Sequence, residues 1–156
     1  MALSKEQIKS NYPLPTYNYR VEIDNKTMGF SEVSGLSISR ETVTYKESPA
    51  SKAPGPITMH MPAQVSPPSL TLKKGMIKSA DIRFLFDWIN SVQLNQVQKK
   101  DVTVRLCDEK GDAVISWRVL NAFPKKLDAP SFSASSNDAA IESIELMADL
   151  ITVDVT

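Results

Sequence analysis

The sequence contains a single cysteine, Cys107, so no disulfide can form within the chain. It also contains a single histidine, His60, and no Cys-x-x-Cys, His-x-x-x-His or Asp-x-Asp spacing. A structural zinc or calcium site is therefore not expected. Five glycines leave little material for a phosphate cradle, and no Gly-x-Gly-x-x-Gly or phosphate-loop pattern occurs. Ser34-Gly35-Leu36-Ser37 lacks the glycine on both sides of serine that a nucleophile elbow needs. Net charge is absent too: 18 basic residues balance 18 acidic ones. That argues against a dedicated nucleic-acid binder, whose affinity rests on phosphate neutralisation. It also removes the self-repulsion that holds copies apart. No apolar run approaches the 18 residues of a membrane-spanning helix. The first ten residues are polar, with Lys5, Glu6 and Lys9, and do not read as a secretory signal.

What the sequence has in excess is proline, and it is concentrated. Six of ten prolines fall between Glu47 and Pro68: Pro49, Pro54, Pro56, Pro62, Pro67 and Pro68. Proline lacks a backbone N–H and favours extended polyproline-like backbone, so this stretch reads as an extended arm between two strands. The chain is read as one domain, 1–156, with 47–68 as that arm.

Strand signals surround the arm. Tyr17, Tyr19, Val21 and Ile23 alternate with polar residues, and Asp24-Asn25-Lys26 supplies a turn. Between Leu36 and Lys46 the apolar parity changes, from Leu36 and Ile38 to Val43 and Tyr45, which requires a bulge or bend near Arg40–Thr42. Leu70 and Leu72 alternate up to Gly75. Ser79 is placed to cap a helix carrying Asp81, Ile82, Leu85, Phe86, Ile89 and Val92 at helical spacing, widened by Phe84 and Trp88. Val102, Val104 and Leu106 lead through Asp108-Glu109-Lys110-Gly111 into a return strand with Ile115, Trp117 and Val119. The final strand, Ala140 to Val155, changes parity near Asp149–Leu150 and so must bend. The fold class is mainly β with one helix, as a β-sandwich or partly open barrel.

Chemistry-bearing residues are sparse. His60 lies within the arm with no neighbouring carboxylate. Cys107 reads as a small semi-buried strand residue. The pairs Lys73-Lys74, Lys99-Lys100 and Lys125-Lys126 read as solvated rim charge that also discourages stray strand pairing. Glu142, Glu145 and Asp149 straddle both faces of one strand and make no simple carboxylate pair. No catalytic, cofactor or metal residues emerge, and binding to proteins or to itself is the reading that remains.

Several segments in order carry a resemblance. They are Tyr12-Pro13-Leu14-Pro15-Thr16-Tyr17, Gly29-Phe30-Ser31-Glu32-Val33-Ser34-Gly35-Leu36, Leu72-Lys73-Lys74-Gly75, Phe86-Asp87-Trp88-Ile89-Asn90, Asn121-Ala122-Phe123-Pro124-Lys125-Lys126, and Ser136-Asn137-Asp138 through Leu146. Together they resemble the inner tube proteins of phage-like contractile injection systems, the family that also holds contractile phage tail tube proteins. Gln93-Leu94-Asn95-Gln96-Val97, with Lys99-Lys100-Asp101, is most similar to extracellular injection systems.

The resemblance implies a non-enzymatic subunit without cofactor. Six copies would form a ring, each giving four strands to one barrel, and rings would stack into a rigid tube inside a contractile sheath. Twenty-four strands at ~4.8 Å, tilted ~40°, give a barrel roughly 50 Å across and a lumen of about 40 Å. The implied partners are further copies of the chain, sheath, baseplate and tube-cap proteins, and protein cargo in the lumen. Specific nucleic acid is not among them, and a membrane is met only by the assembled, spike-tipped tube. Synthesis and assembly would be cytoplasmic, in a particle that is then released. Inter-subunit or inter-ring contact is expected from Pro49, Lys52, Pro54, Gly55, Pro56, Ile57, Met59, Met61 and Pro62. Lumen-facing candidates are Ser37, Ser39, Glu41, Thr71 and Lys73. A tube-initiating paralogue at the baseplate end stays open because 57–68 does not align with the resemblance, and a stand-alone secreted protein with the tube fold stays open as an alternative of a different class.

Overall fold

One long strand that changes sheet partners partway along organises this molecule. The computed structural model describes residues 2–78, 80–94 and 96–155; the side chain of Ala80 is not considered. Its elements are α1 (Lys5–Asn11), β1 (Tyr19–Ile23), β2 (Lys26–Met28), β3 (Glu32–Ser34), β4 (Arg40–Glu47), β5 (Ile57–Val65), β6 (Ser69–Gly75), α2 (Ala80–Asn90), β7 (Lys100–Cys107), β8 (Ala113–Asp128), β9 (Ile141–Met147) and β10 (Leu150–Val155). Eight strands form one antiparallel sheet in the order β2-β1-β7-β8-β9-β6-β3, with β10 also on β8. The sheet is not a closed barrel, and β4 and β5 stand apart as a two-stranded ribbon.

The first half of β8 pairs β7 and β10, and its second half pairs β9. The switch falls at Asn121, which has φ +55°. Its backbone N–H donates to Asp101 Oδ1 at 3.0 Å, and its side-chain amide donates to Asp149 Oδ2 at 3.0 Å. Asp149 N–H in turn donates to Leu120 O at 3.1 Å. Asp149 sits in the gap between β9 and β10, where the parity change required a bend. Asn tolerates the left-handed region better than most residues, which suits it to this corner.

The two halves bury their apolar faces in one cluster. Ile23, Val102, Val119 and Ile151 lie in register across four strands of the first half. Val33, Leu72, Ile144 and Leu127 do the same across the second. Each fully buried aliphatic side chain stabilises the fold by about 1.5–3 kcal/mol. α2 adds Leu85 and Trp88, both buried, and the Trp88 indole N–H donates to Gln98 O at 2.9 Å. Phe86 on the same helix is exposed, so α2 covers the sheet with one face rather than most of its surface. The expected Ser79 cap lies outside the described residues, as does Asn95.

Further sequence readings resolve differently. α1 forms on a Ser4–Gln7 capping box but buries nothing; Lys9 meets Glu109 at 3.1 Å. Cys107 is fully buried, because the register shifts between Leu106 and Cys107 and turns it inward. Lys74 is not solvated rim charge. Strand alternation sends Lys73 outward and Lys74 inward, where it is 5% exposed beside Glu142, also 5% exposed. The two are direct cross-strand partners in register. Lys74 Nζ donates to Gly29 O at 2.8 Å and lies 3.8 Å from Asp81 Oδ2. Glu142 Oε1 has no hydrogen-bond partner, and burial pushes its carboxyl above the usual range, with Lys74 opposing.

Candidate assembly surface

The segment 47–68, read from composition as a proline-rich arm, divides in three. Residues 48–56 form the tip, Ile57–Val65 are strand β5, and 66–68 link to β6. Composition misses the strand because the prolines cluster outside it: three in the tip and two in the link, with Pro62 alone inside. Pro62 stands opposite Thr42, next to the register shift between Arg40 and Thr42. Strand prolines are tolerated at bulges and on edges, and this site offers both. The bulge required by the parity change near Arg40–Thr42 is thus present, though the strand begins at Arg40 rather than at Leu36.

The ribbon prolongs a pair already in the main sheet. β3 pairs β6, and their continuations β4 and β5 pair each other beyond a joint at 35–39 and 66–68. Ser66 N–H donates to Ser39 O at 3.1 Å across the joint, and Pro68 is buried and accepts from Ala148 N–H. Gly35 opens the joint with φ +91°. A Cβ there would sit 2.2 Å from Ser69 O, so only glycine fits.

Register separates the ribbon's faces. Val43 stands opposite Met61, Tyr45 opposite Met59, and Glu47 opposite Ile57. Val43, Tyr45, Ile57, Met59 and Met61 therefore share a face, and each is between 42% and 48% exposed. Thr42, Thr44, Lys46, Thr58, His60 and Pro62 occupy the other. His60 Nδ1 lies 3.2 Å from Thr44 Oγ1. Apolar side chains on a face that nothing among the described residues covers mark an interaction surface.

Open backbone edges accompany this face. Among the described residues β4 and β5 pair only each other, β10 pairs only β8, and Phe123–Asp128 of β8 pair only β9. Unpaired edges of this length invite another strand unless they are covered. A cleft of about 350 Å³, lined by Tyr19, Val33, Leu36, Leu106 and Trp117 among others, opens beside β3.

The structure distributes the sequence candidates over these features. Pro49, Lys52, Pro54, Gly55 and Pro56 lie in the ribbon tip. Ile57, Met59 and Met61 share the apolar face, whereas Pro62 points to the opposite one. Ser37 and Ser39 lie in the joint, outside any strand, and Glu41 lies at the bulge. Thr71 and Lys73 face away from the core on β6, with Lys73 paired to Glu32 at 3.2 Å. Tyr45 and Val43 were missed as surface residues. Their exposure follows from the ribbon standing off the sheet, which no local pattern encodes. Among the described residues no group of three or more His, Cys, Asp or Glu side chains is placed to hold a metal. No helix there is long and apolar enough to cross a membrane.

Comparison with known proteins bears on what this surface meets. The family described as T4-like virus tail tube protein gp19 matches residues 15–152. A chain from the sheath-tube complex of an extracellular contractile injection system, PVC, in the extended state is 39% identical. It covers 99% of this chain and 100% of its own, with a TM-score of 0.87. A chain from the anti-feeding prophage cap, the tube-terminating cap, is 38% identical over all of both chains, with a TM-score of 0.84. A third, from the PVC sheath/tube terminator in the extended state, is 40% identical and covers 93% of this chain and 99% of its own, with a TM-score of 0.81. No curated protein matches.

Proposed function

We propose a ring-building role from one premise: the chain belongs to the T4-like virus tail tube protein family. It is a structural tube subunit of a contractile injection system and not an enzyme. Its assembly partners are of the sheath, baseplate and cap kinds, and its setting is a phage-tail-like particle of the extracellular type.

The finer reading is that six copies close into a ring and rings stack into a hollow tube that carries protein cargo. The observation that carries it is the β4–β5 ribbon. Among the described residues, it leaves the sheet with both backbone edges unpaired and an apolar face uncovered. A lone two-stranded ribbon is marginally stable in water, so it needs further strands or a packing partner. A neighbouring copy supplies both, and barrel closure removes every open edge. The apolar face then packs between copies, and the ribbon tip reaches the adjoining ring.

The polar ribbon face and the outward face of β6, with Thr71 and Lys73, are assigned to the lumen. Glu32, Lys73 and Lys126 with Asp128 form ion pairs on the sheet half that carries the ribbon. Charges neutralised in pairs suit a conduit that must not hold its cargo. Assembly begins in the cytoplasm and release follows.

The test is isolation of intact particles from cells expressing the whole system. The subunit is expected to co-purify with sheath and baseplate and to appear as stacked rings by negative-stain electron microscopy. Absence of the chain from particles that contain sheath and baseplate would sink the reading.

A further inference from the structure

The geometry points to Met59 and Met61 as an oxidative modification site that decides whether a subunit can enter the tube, an inference that rests on the ring reading above. Five methionines lie among the described residues. Met28 is buried and Met147 half-buried, and Met76 is exposed on the connection from β6 to α2. Met59 and Met61 are different: they are adjacent on one face of β5, opposite Tyr45 and Val43, and both open to solvent. They form the middle of the apolar surface that must become dry on assembly.

A thioether suits this place because it is flexible and packs against irregular surfaces and aromatic edges. It is also the side chain that a peroxide converts in one step. The sulfur gives up two electrons, the O–O bond of hydrogen peroxide breaks, and one oxygen bonds to sulfur as the sulfoxide. The other oxygen leaves as water with the two peroxide hydrogens. The product is polar and chiral, and methionine sulfoxide reductases reverse it. Two sulfoxides at Met59 and Met61 would place strong acceptors on a face that offers them no free side-chain donor. Every side chain opposite them, Val43 and Tyr45 included, is apolar except at the Tyr45 hydroxyl, which is committed to Glu47 Oε2 at 3.1 Å. A buried, unpartnered acceptor opposes assembly. Free subunits are therefore open to oxidation and blocked by it, whereas subunits already in a tube are shielded.

The experiment uses purified full-length subunit and hydrogen peroxide as the probe. Treated wild-type subunit is expected to lose at least about tenfold in tube yield by electron microscopy. The M59L/M61L variant keeps apolar character and volume and is expected to keep its yield under the same treatment. Reductase treatment is expected to restore wild-type assembly. Peptide mass spectrometry is expected to find Met59 and Met61 oxidised at least about tenfold more slowly in assembled tubes than in free subunits.

Oxidised wild type that assembles normally, or equal loss in M59L/M61L, would overturn the inference. So would equal oxidation rates in tubes and subunits, a comparison that decides the matter if the double variant fails to assemble untreated. If untreated wild type neither forms tubes nor occurs in isolated particles, the ring reading itself has failed and this inference falls with it.

Discussion

Replacing Gly35 by alanine tests how the ribbon is aimed. Gly35 sits at φ +91°, and a Cβ there would lie 2.2 Å from Ser69 O and 3.2 Å from Ser69 C, both backbone atoms. Two costs follow. The conformation itself costs an L-residue about 1–2 kcal/mol. The overlap with backbone cannot be relieved by a side-chain rotation, and forcing space of this kind costs about 1–3 kcal/mol. Together they give about 2–5 kcal/mol. For a chain of this size each kcal/mol moves Tm by ~2–4 °C, so the melting point should fall by roughly 4–20 °C. Gly55 in the ribbon tip provides the control. It has φ +87°, yet a Cβ there meets nothing within 4 Å. Gly55→Ala should therefore incur only the first cost and lose at most about 8 °C. Differential scanning calorimetry of both variants separates the contributions. If Gly35→Ala and Gly55→Ala fall by the same amount, the joint at 35–39 and 66–68 does not fix the ribbon by the close contact described here.

Four further outcomes follow from the same structure. Burial raises the Glu142 carboxyl above its unfolded value, so the folded chain holds that proton more tightly than the unfolded chain does; stability falls as pH rises from the unfolded value to the raised folded one. Glu142→Gln should remove that loss, and its Tm advantage over wild type should grow as pH rises above the ordinary glutamate value; an advantage independent of pH contradicts the assignment. Lys74→Met leaves Gly29 O without its donor and removes the cation 3.8 Å from Asp81 Oδ2, and should cost about 1–3 kcal/mol in urea unfolding. A double change of Tyr45 and Met59 to serine should move monomer stability by only about 1 kcal/mol, because both are exposed, while abolishing rings in electron micrographs. Trimming the tip, residues 50–55, should leave the β4–β5 ladder intact and weaken stacking of one ring on the next, seen as shorter tubes. A longer cut, 51–66, removes all of β5 and should expose β4 as well.

Much of this architecture was legible in the chain because strand alternation is strict. The parity changes at Ile38–Val43 and Leu146–Ile151 located both irregularities, one a bulge in the ribbon and the other the bend between β9 and β10. The hairpin turns at Asp24–Asn25 and Asp108–Gly111 were readable from turn chemistry. The ribbon strand β5 was not. Six prolines in 22 residues dominated the composition, yet nearly all flank the strand, and pairing with β4 is a non-local choice. The Lys74–Glu142 pair was hidden for the same reason. Two residues 68 positions apart become neighbours only when β6 meets β9, and in sequence Lys74 looks like half of an ordinary surface pair. The assembly face was the least legible feature. Val43 and Tyr45 have the pattern of core residues, and only the departure of the ribbon from the sheet turns them outward.

The central claim is that the uncovered ribbon face is filled by the next copy in a six-membered ring. Cryo-electron microscopy of tubes from isolated particles measures this directly. The expected map has six copies per ring, with Val43, Tyr45, Ile57, Met59 and Met61 buried between neighbouring copies. A ring of another number, or a tube in which that face remains in solvent, contradicts it.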